Sequence, residues 1–60
     1  MKVKMISDFS DVDGYPKTGD ILEVREEIFN GSFLECYSCE WNGKRLDIYP
    51  YECEEVSDNA

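Results

Sequence analysis

The stretch Lys17-Thr18-Gly19-Asp20-Ile21-Leu22-Glu23-Val24 decides the fold, because here a turn runs straight into a strand. Gly19 supplies the backbone freedom that a tight turn needs, and Asp20 can accept hydrogen bonds from neighbouring N–H groups. Strand periodicity then sends Leu22 and Val24 to one face, with Glu23 and Arg25 on the other. Leu22 and Val24 are therefore the expected centre of a core over which later hairpins fold.

Before this stretch, Val3 and Met5 alternate with Lys2, Lys4 and Ile6, which predicts a short first strand with Val3 and Met5 inward. From Ser7 to Thr18 the alternation stops. The segment Asp8-Phe9-Ser10-Asp11-Val12-Asp13-Gly14-Tyr15-Pro16 is rich in turn formers, yet its aromatic residues and valine predict a loop packed back on the domain.

After it, the central strand continues to Ile28 or Phe29. A helix over Glu23 to Ile28 is disfavoured, because Ile21, Leu22, Val24 and Ile28 form no coherent helical stripe. Asn30-Gly31 and Asn42-Gly43 are strong hairpin turn pairs that bracket a strand from Phe33 to Trp41. Plain alternation puts Leu34, Cys36 and Ser38 inward and Phe33, Glu35, Tyr37, Cys39 and Trp41 outward. Arg45 to Tyr49 returns with Leu46 and Ile48 inward until Pro50 stops the strand, since proline cannot donate to a ladder. A 3₁₀ turn and a last short strand, closing the core with Cys53 or Val56, complete an all-β chain. Residues 57–60 are expected to fray. Strands punctuated by turns every eight to twelve residues predict a small five-stranded barrel in a single domain over residues 1–60.

Sixty residues are too few for both a substantial core and a deep catalytic cleft, so function is expected on a surface or in a shallow groove. The 42 % hydrophobic content is well above that of a disordered acidic tail. With 14 acidic against 6 basic residues, the net charge of −8 repels phosphate backbones and anionic membranes and favours basic partners. No segment approaches the ~20 apolar residues of a membrane helix. Three cysteines cannot all pair within one chain, and the N-terminus reads as a strand rather than a signal peptide, so a cytoplasmic setting with free thiols is expected.

Cys36-Tyr37-Ser38-Cys39 has the spacing of a zinc half-site, with Cys53 as a third thiolate. Structural zinc needs four ligands, the chain has no histidine, and strand geometry sends Cys36 and Cys39 to opposite faces. Cys36 and Cys53 are expected to fill the core and Cys39 to be exposed. No metal or cofactor is expected. Catalysis has no support either: there is no serine or cysteine with an evident base, and no phosphate-cradling glycine loop.

The order of elements resembles a Src-homology-3 barrel over roughly Lys2 to Val56. Met5-Ile6-Ser7-Asp8-Phe9 stands where that family has Ala-Leu-Tyr-Asp-Tyr, and Gly19-Asp20-Ile21-Leu22-Glu23-Val24 matches its strand opening. Phe33-Leu34 occupies the Trp-Trp position, Asn42-Gly43 the distal hairpin, and Tyr49-Pro50-Tyr51 the lead into the 3₁₀ turn. The resemblance implies a protein-binding surface, but an altered one. Ser7 replaces the first ridge tyrosine, Phe33 replaces the tryptophan, and in the alignment on Pro50 Cys53 replaces the late tyrosine. That alignment would bury Glu54. Shifting the register by one puts Ile48 and Cys53 inward and is preferred, because burying an unpaired glutamate is costly.

The expected function is that of a small acidic, non-catalytic interaction module. Its contact surface would use Phe9, Phe33, Tyr37, Trp41, Tyr49 and Tyr51, with Asp11 and Asp13 steering basic groups. Phe33, Tyr37 and Trp41 are expected to form one exposed strip, and the first and second loops to share an acidic rim. The alternative is an acidic inhibitor of the phage or prophage type that mimics nucleic acid and blocks a basic protein. A homo-oligomer built on the aromatic strip is a third reading.

Overall fold

The computed structural model describes residues 1–56, so the fraying expected at 57–60 lies outside the described residues. Five strands, β1 (Lys2–Met5), β2 (Ile21–Asn30), β3 (Phe33–Trp41), β4 (Lys44–Ile48) and β5 (Cys53–Val56), are joined by turns, one long loop and a 3₁₀ turn, η1 (Pro50–Glu52). All neighbours are antiparallel, in the order β4-β3-β2-β1-β5. The chain is thus all-β with a 3₁₀ turn before the last strand, as its sequence predicts, and compatible with a small Src-homology-3-like fold. Closure into a barrel is not achieved: β4 and β5 remain the two edges of the sheet, and no ladder joins them among the described residues.

β2 organises the sheet because it serves two partners. Its first residues pair with β1 and the remainder with β3, and Glu23 faces both Lys2 and Glu40. Val3, Met5, Leu22, Tyr37, Cys39, Leu46, Ile48 and Cys53 form one buried cluster drawn from all five strands, so the sheet curls around a single core. Val24 packs against its margin. The turn ahead of β2 forms as the sequence requires: Gly19 has φ +96°, and the Asp20 carboxylate accepts a 2.9 Å bond from the Lys17 N–H. The Asn42-Gly43 turn carries positive φ at both residues, 49° and 79°, the backbone that a two-residue hairpin demands.

Two register shifts correct the expected faces. Arg25 is an extra residue on β2 between Val24↔Cys39 and Glu26↔Ser38, and Glu35 is an extra residue on β3 between Ile28↔Cys36 and Phe29↔Leu34. A one-residue bulge sends every later side chain to the opposite face. Leu34 points inward as expected, but beyond Glu35 the inward set becomes Tyr37, Cys39 and Trp41. Cys39 is fully buried, not exposed, and Tyr37 is buried too. Cys36 and Ser38 lie on the outer face, where both are buried although neither belongs to the core cluster. At the C-terminal end the preferred register holds, with Ile48 and Cys53 inward and Glu54 exposed.

Candidate functional site

The long loop between β1 and β2 is held by its own polar groups. Asp8 Oδ1 accepts the Thr18 backbone N–H at 2.8 Å and the Thr18 hydroxyl at 2.9 Å, which pins the two ends of the loop together. These bonds, the backbone one foremost, hold the Asp8 carboxyl below its usual range. The Phe9 N–H donates to the Pro16 carbonyl, and Phe9 stacks on Tyr15 at 5.5 Å. Lys17 reaches into the loop and donates through Nζ to the carbonyls of Ser10 and Val12. Pro16 is buried, while Asp11 and Asp13 are exposed.

The loop tip seats on the far end of β3. Trp41 Nε1 donates to the Gly14 carbonyl at 2.8 Å, and Lys44 Nζ lies 5.2 Å from the centre of the Tyr15 ring. The acidic loop is therefore beside the β3–β4 turn. The β2–β3 turn lies at the opposite end of β3, so the expected shared rim of the first and second loops is not formed. Sequence reasoning missed this latch, because nothing local in the chain marks Gly14 and Trp41 as partners.

The expected strip of Phe33, Tyr37 and Trp41 does not exist. Phe33 and Trp41 stand eight strand steps apart, about 26 Å. Tyr37 between them is buried in the core, and Trp41 is half-buried beneath the loop. Phe9 is likewise half-buried against the core. The candidates that remain on the surface are Phe33, 69 % exposed, Tyr49, 47 %, and Tyr51, 75 %.

Tyr49 and Tyr51 belong to one turn that lies against β3, and Phe33 opens that strand. Tyr37 pairs with Ile48, so the part of β3 before Tyr37 runs alongside Tyr49 and η1, and η1 packs against β3. The Tyr49 and Tyr51 rings are stacked nearly parallel, 5.5 Å apart and inclined by only 6°. Pro50 stands between them in the chain, and the Glu52 carboxylate accepts the Tyr49 N–H at 3.2 Å. This one-turn clasp fixes the tyrosines without burying them. Phe29, 54 % exposed at the end of β2 and paired with Leu34, was not anticipated as part of the apolar surface. Its place before the Asn30-Gly31 turn was the available signal.

A shallow depression of about 790 Å³ lies elsewhere, on the outer face of β2, β3 and β4, lined by Arg25, Glu26, Ser38, Glu40, Lys44 and Arg45 among others. Much of its charge is satisfied internally. Arg25 donates to Glu40 through Nε and Nη2, and Arg45 pairs with Asp47.

The three thiols are free, and burial raises the pKa of each, that of Cys39 to about 11. Cys39 and Cys53 belong to the core while Cys36 sits on the outer face, so the Cys-X-X-Cys spacing gathers no common site. No group of three or more Cys, Asp or Glu side chains is placed to hold a metal ion among the described residues. No helix among them is long and apolar enough to cross a membrane. In comparisons with protein-family models, curated proteins and solved structures, the chain matches none.

Proposed function

We propose that this protein is a small acidic interaction module that performs no chemistry of its own and binds another protein through Tyr49, Tyr51 and Phe33. One observation carries this reading: two stacked tyrosines are held by a turn yet left in water, and Phe33 is exposed as well. Rigid aromatic rings offer large contact area at little conformational cost, which is why they dominate interface energetics. The net charge of −8 favours a partner with a basic surface. Free cysteines suit a reducing, cytoplasmic setting.

The test is capture of a partner from a lysate of the source organism, comparing the wild type with Tyr51→Ser and Phe33→Ser. A partner held by the wild type should be lost by both variants at constant salt. The same charge also favours a nucleic-acid mimic that blocks a basic protein. In that case the variants would bind normally, and capture would fail as salt rises from 0.1 to about 0.5 M, where screening removes long-range attraction.

A further inference from the structure

We infer that the open edge of β5 is where the partner attaches, by adding a basic extended segment to the sheet as a sixth strand. The inference rests on the interaction reading above and assigns its geometry. Among the described residues β5 is an edge strand with only β1 beside it. Which of its backbone groups are free follows from the register. The Ile6 N–H donates to the Glu52 carbonyl, while the Met5 N–H donates the other way, to Asp20 on the β2 side. Bonds between β1 and β5 therefore fall at the pairs Lys4↔Glu54 and Lys2↔Val56. The N–H and C=O groups of Cys53 and Glu55 point away from β1, towards the open edge.

The chemistry of the occupant follows from what surrounds that edge. Glu54 and Glu55 are exposed on opposite faces of β5. On its paired side, β5 already lies against a lysine-bearing strand, with Lys4 directly opposite Glu54. A second basic strand on the free side would meet both carboxylates at once through two adjacent Lys or Arg residues, one on each face. Apolar residues flanking them would extend towards the Tyr49–Tyr51 pair, because η1 runs without a break into β5. The ring stack thus leads along the chain directly into the strand with the free edge. Strand addition of this kind draws affinity from main-chain bonds and selectivity from alternate side chains.

The probe is a capped eight-residue peptide with two adjacent arginines between valines, titrated into the ¹⁵N-labelled protein and followed by amide hydrogen exchange. The Cys53 and Glu55 amides should become protected at least tenfold, while Glu54 and Val56, already bonded to β1, change little. Glu55→Gln removes one carboxylate and keeps the outward N–H, Glu55→Pro removes both, and Glu54→Lys with Glu55→Lys reverses the charge; the proline and the double lysine variants should each weaken binding at least tenfold, and Glu55→Pro more than Glu55→Gln. Shifts at Phe33, Tyr49 and Tyr51 with no alternate protection along β5 would overturn strand addition and leave the aromatic surface standing. No binding at millimolar peptide, or equal binding of a peptide with glutamates for arginines, would also overturn it.

Discussion

Trp41 Nε1 donates a 2.8 Å hydrogen bond to the Gly14 carbonyl, tying the end of β3 to a loop tip 27 residues earlier in the chain. Together with Lys44 over Tyr15, it makes the β3–β4 hairpin the seat of the long loop.

Trp41→Phe keeps an aromatic ring under the loop but removes the donor. The loss should be about 1 kcal/mol, the ordinary net worth of one such bond. It should show as a lower urea midpoint, and as faster amide exchange confined to the loop. Exchange that quickens evenly over all five strands would mean that Trp41 supports the core rather than the loop.

Gly19 isolates a different cost. A methyl group there would touch nothing within 4 Å, yet φ is +96°. Gly19→Ala should therefore destabilise by roughly 1–2 kcal/mol through backbone strain alone. Gly19→Asn should cost less, because asparagine tolerates left-handed backbone better. Equal losses in thermal unfolding would point to crowding instead.

Most of the fold was legible because its signals are local. The turn at Gly19-Asp20, the two Asn-Gly hairpins and the stop at Pro50 each act within four residues, and the structure has strands where they imply. The faces of β3 were not legible beyond Glu35. A bulge depends on how two strands match along their length, and Glu35-Cys36 carries no local mark of one. That single extra residue exchanged Cys36 and Ser38 for Tyr37 and Cys39 in the core. It dissolved the aromatic strip that simple alternation implied. Phe33, Tyr49 and Tyr51 survived as surface residues because they lie at strand ends and in a turn, where alternation has no authority.

Asp8 links loop closure to acid. Its carboxyl is held below 3.8 by the Thr18 N–H and hydroxyl. Because the folded value is the lower one, the stabilisation is complete above the unfolded value and fades as pH falls through the folded value. Loop amides from residue 9 to 15 should exchange faster in the wild type as the pH falls below the usual carboxylate range. In Asp8→Asn the same loop should show no such acid step.

The thiols act at the other end of the pH scale. Burial raises Cys39 from 9.0 to about 11, and Cys36 and Cys53 move in the same direction. Unfolded chains lose these protons first, so stability is complete below pH 9 and declines as pH climbs towards 11. The urea midpoint should fall over that window, and less so in Cys39→Ala measured against its own value at pH 8. Maleimide at pH 7.5 should modify Cys39 only at the rate of unfolding, because the buried thiol has neither access nor thiolate character.

Leu22 and Tyr51 separate what holds the fold from what is offered to a partner. Leu22 is 1 % exposed in the core and Tyr51 is 75 % exposed in η1. Leu22→Ala should cost about 2–5 kcal/mol, from lost burial and the cavity left behind. A domain of this size seldom has more than about 3–5 kcal/mol in hand, so much of the variant should be unfolded at 37 °C. Tyr51→Ser removes more atoms, yet they lie in water, and its effect should stay within about 0.5 kcal/mol. Thermal unfolding followed by circular dichroism checks both. If Tyr51→Ser proved as damaging as Leu22→Ala, the tyrosine stack would be a structural clasp between β4 and β5. Its exposure would then no longer speak for a contact surface.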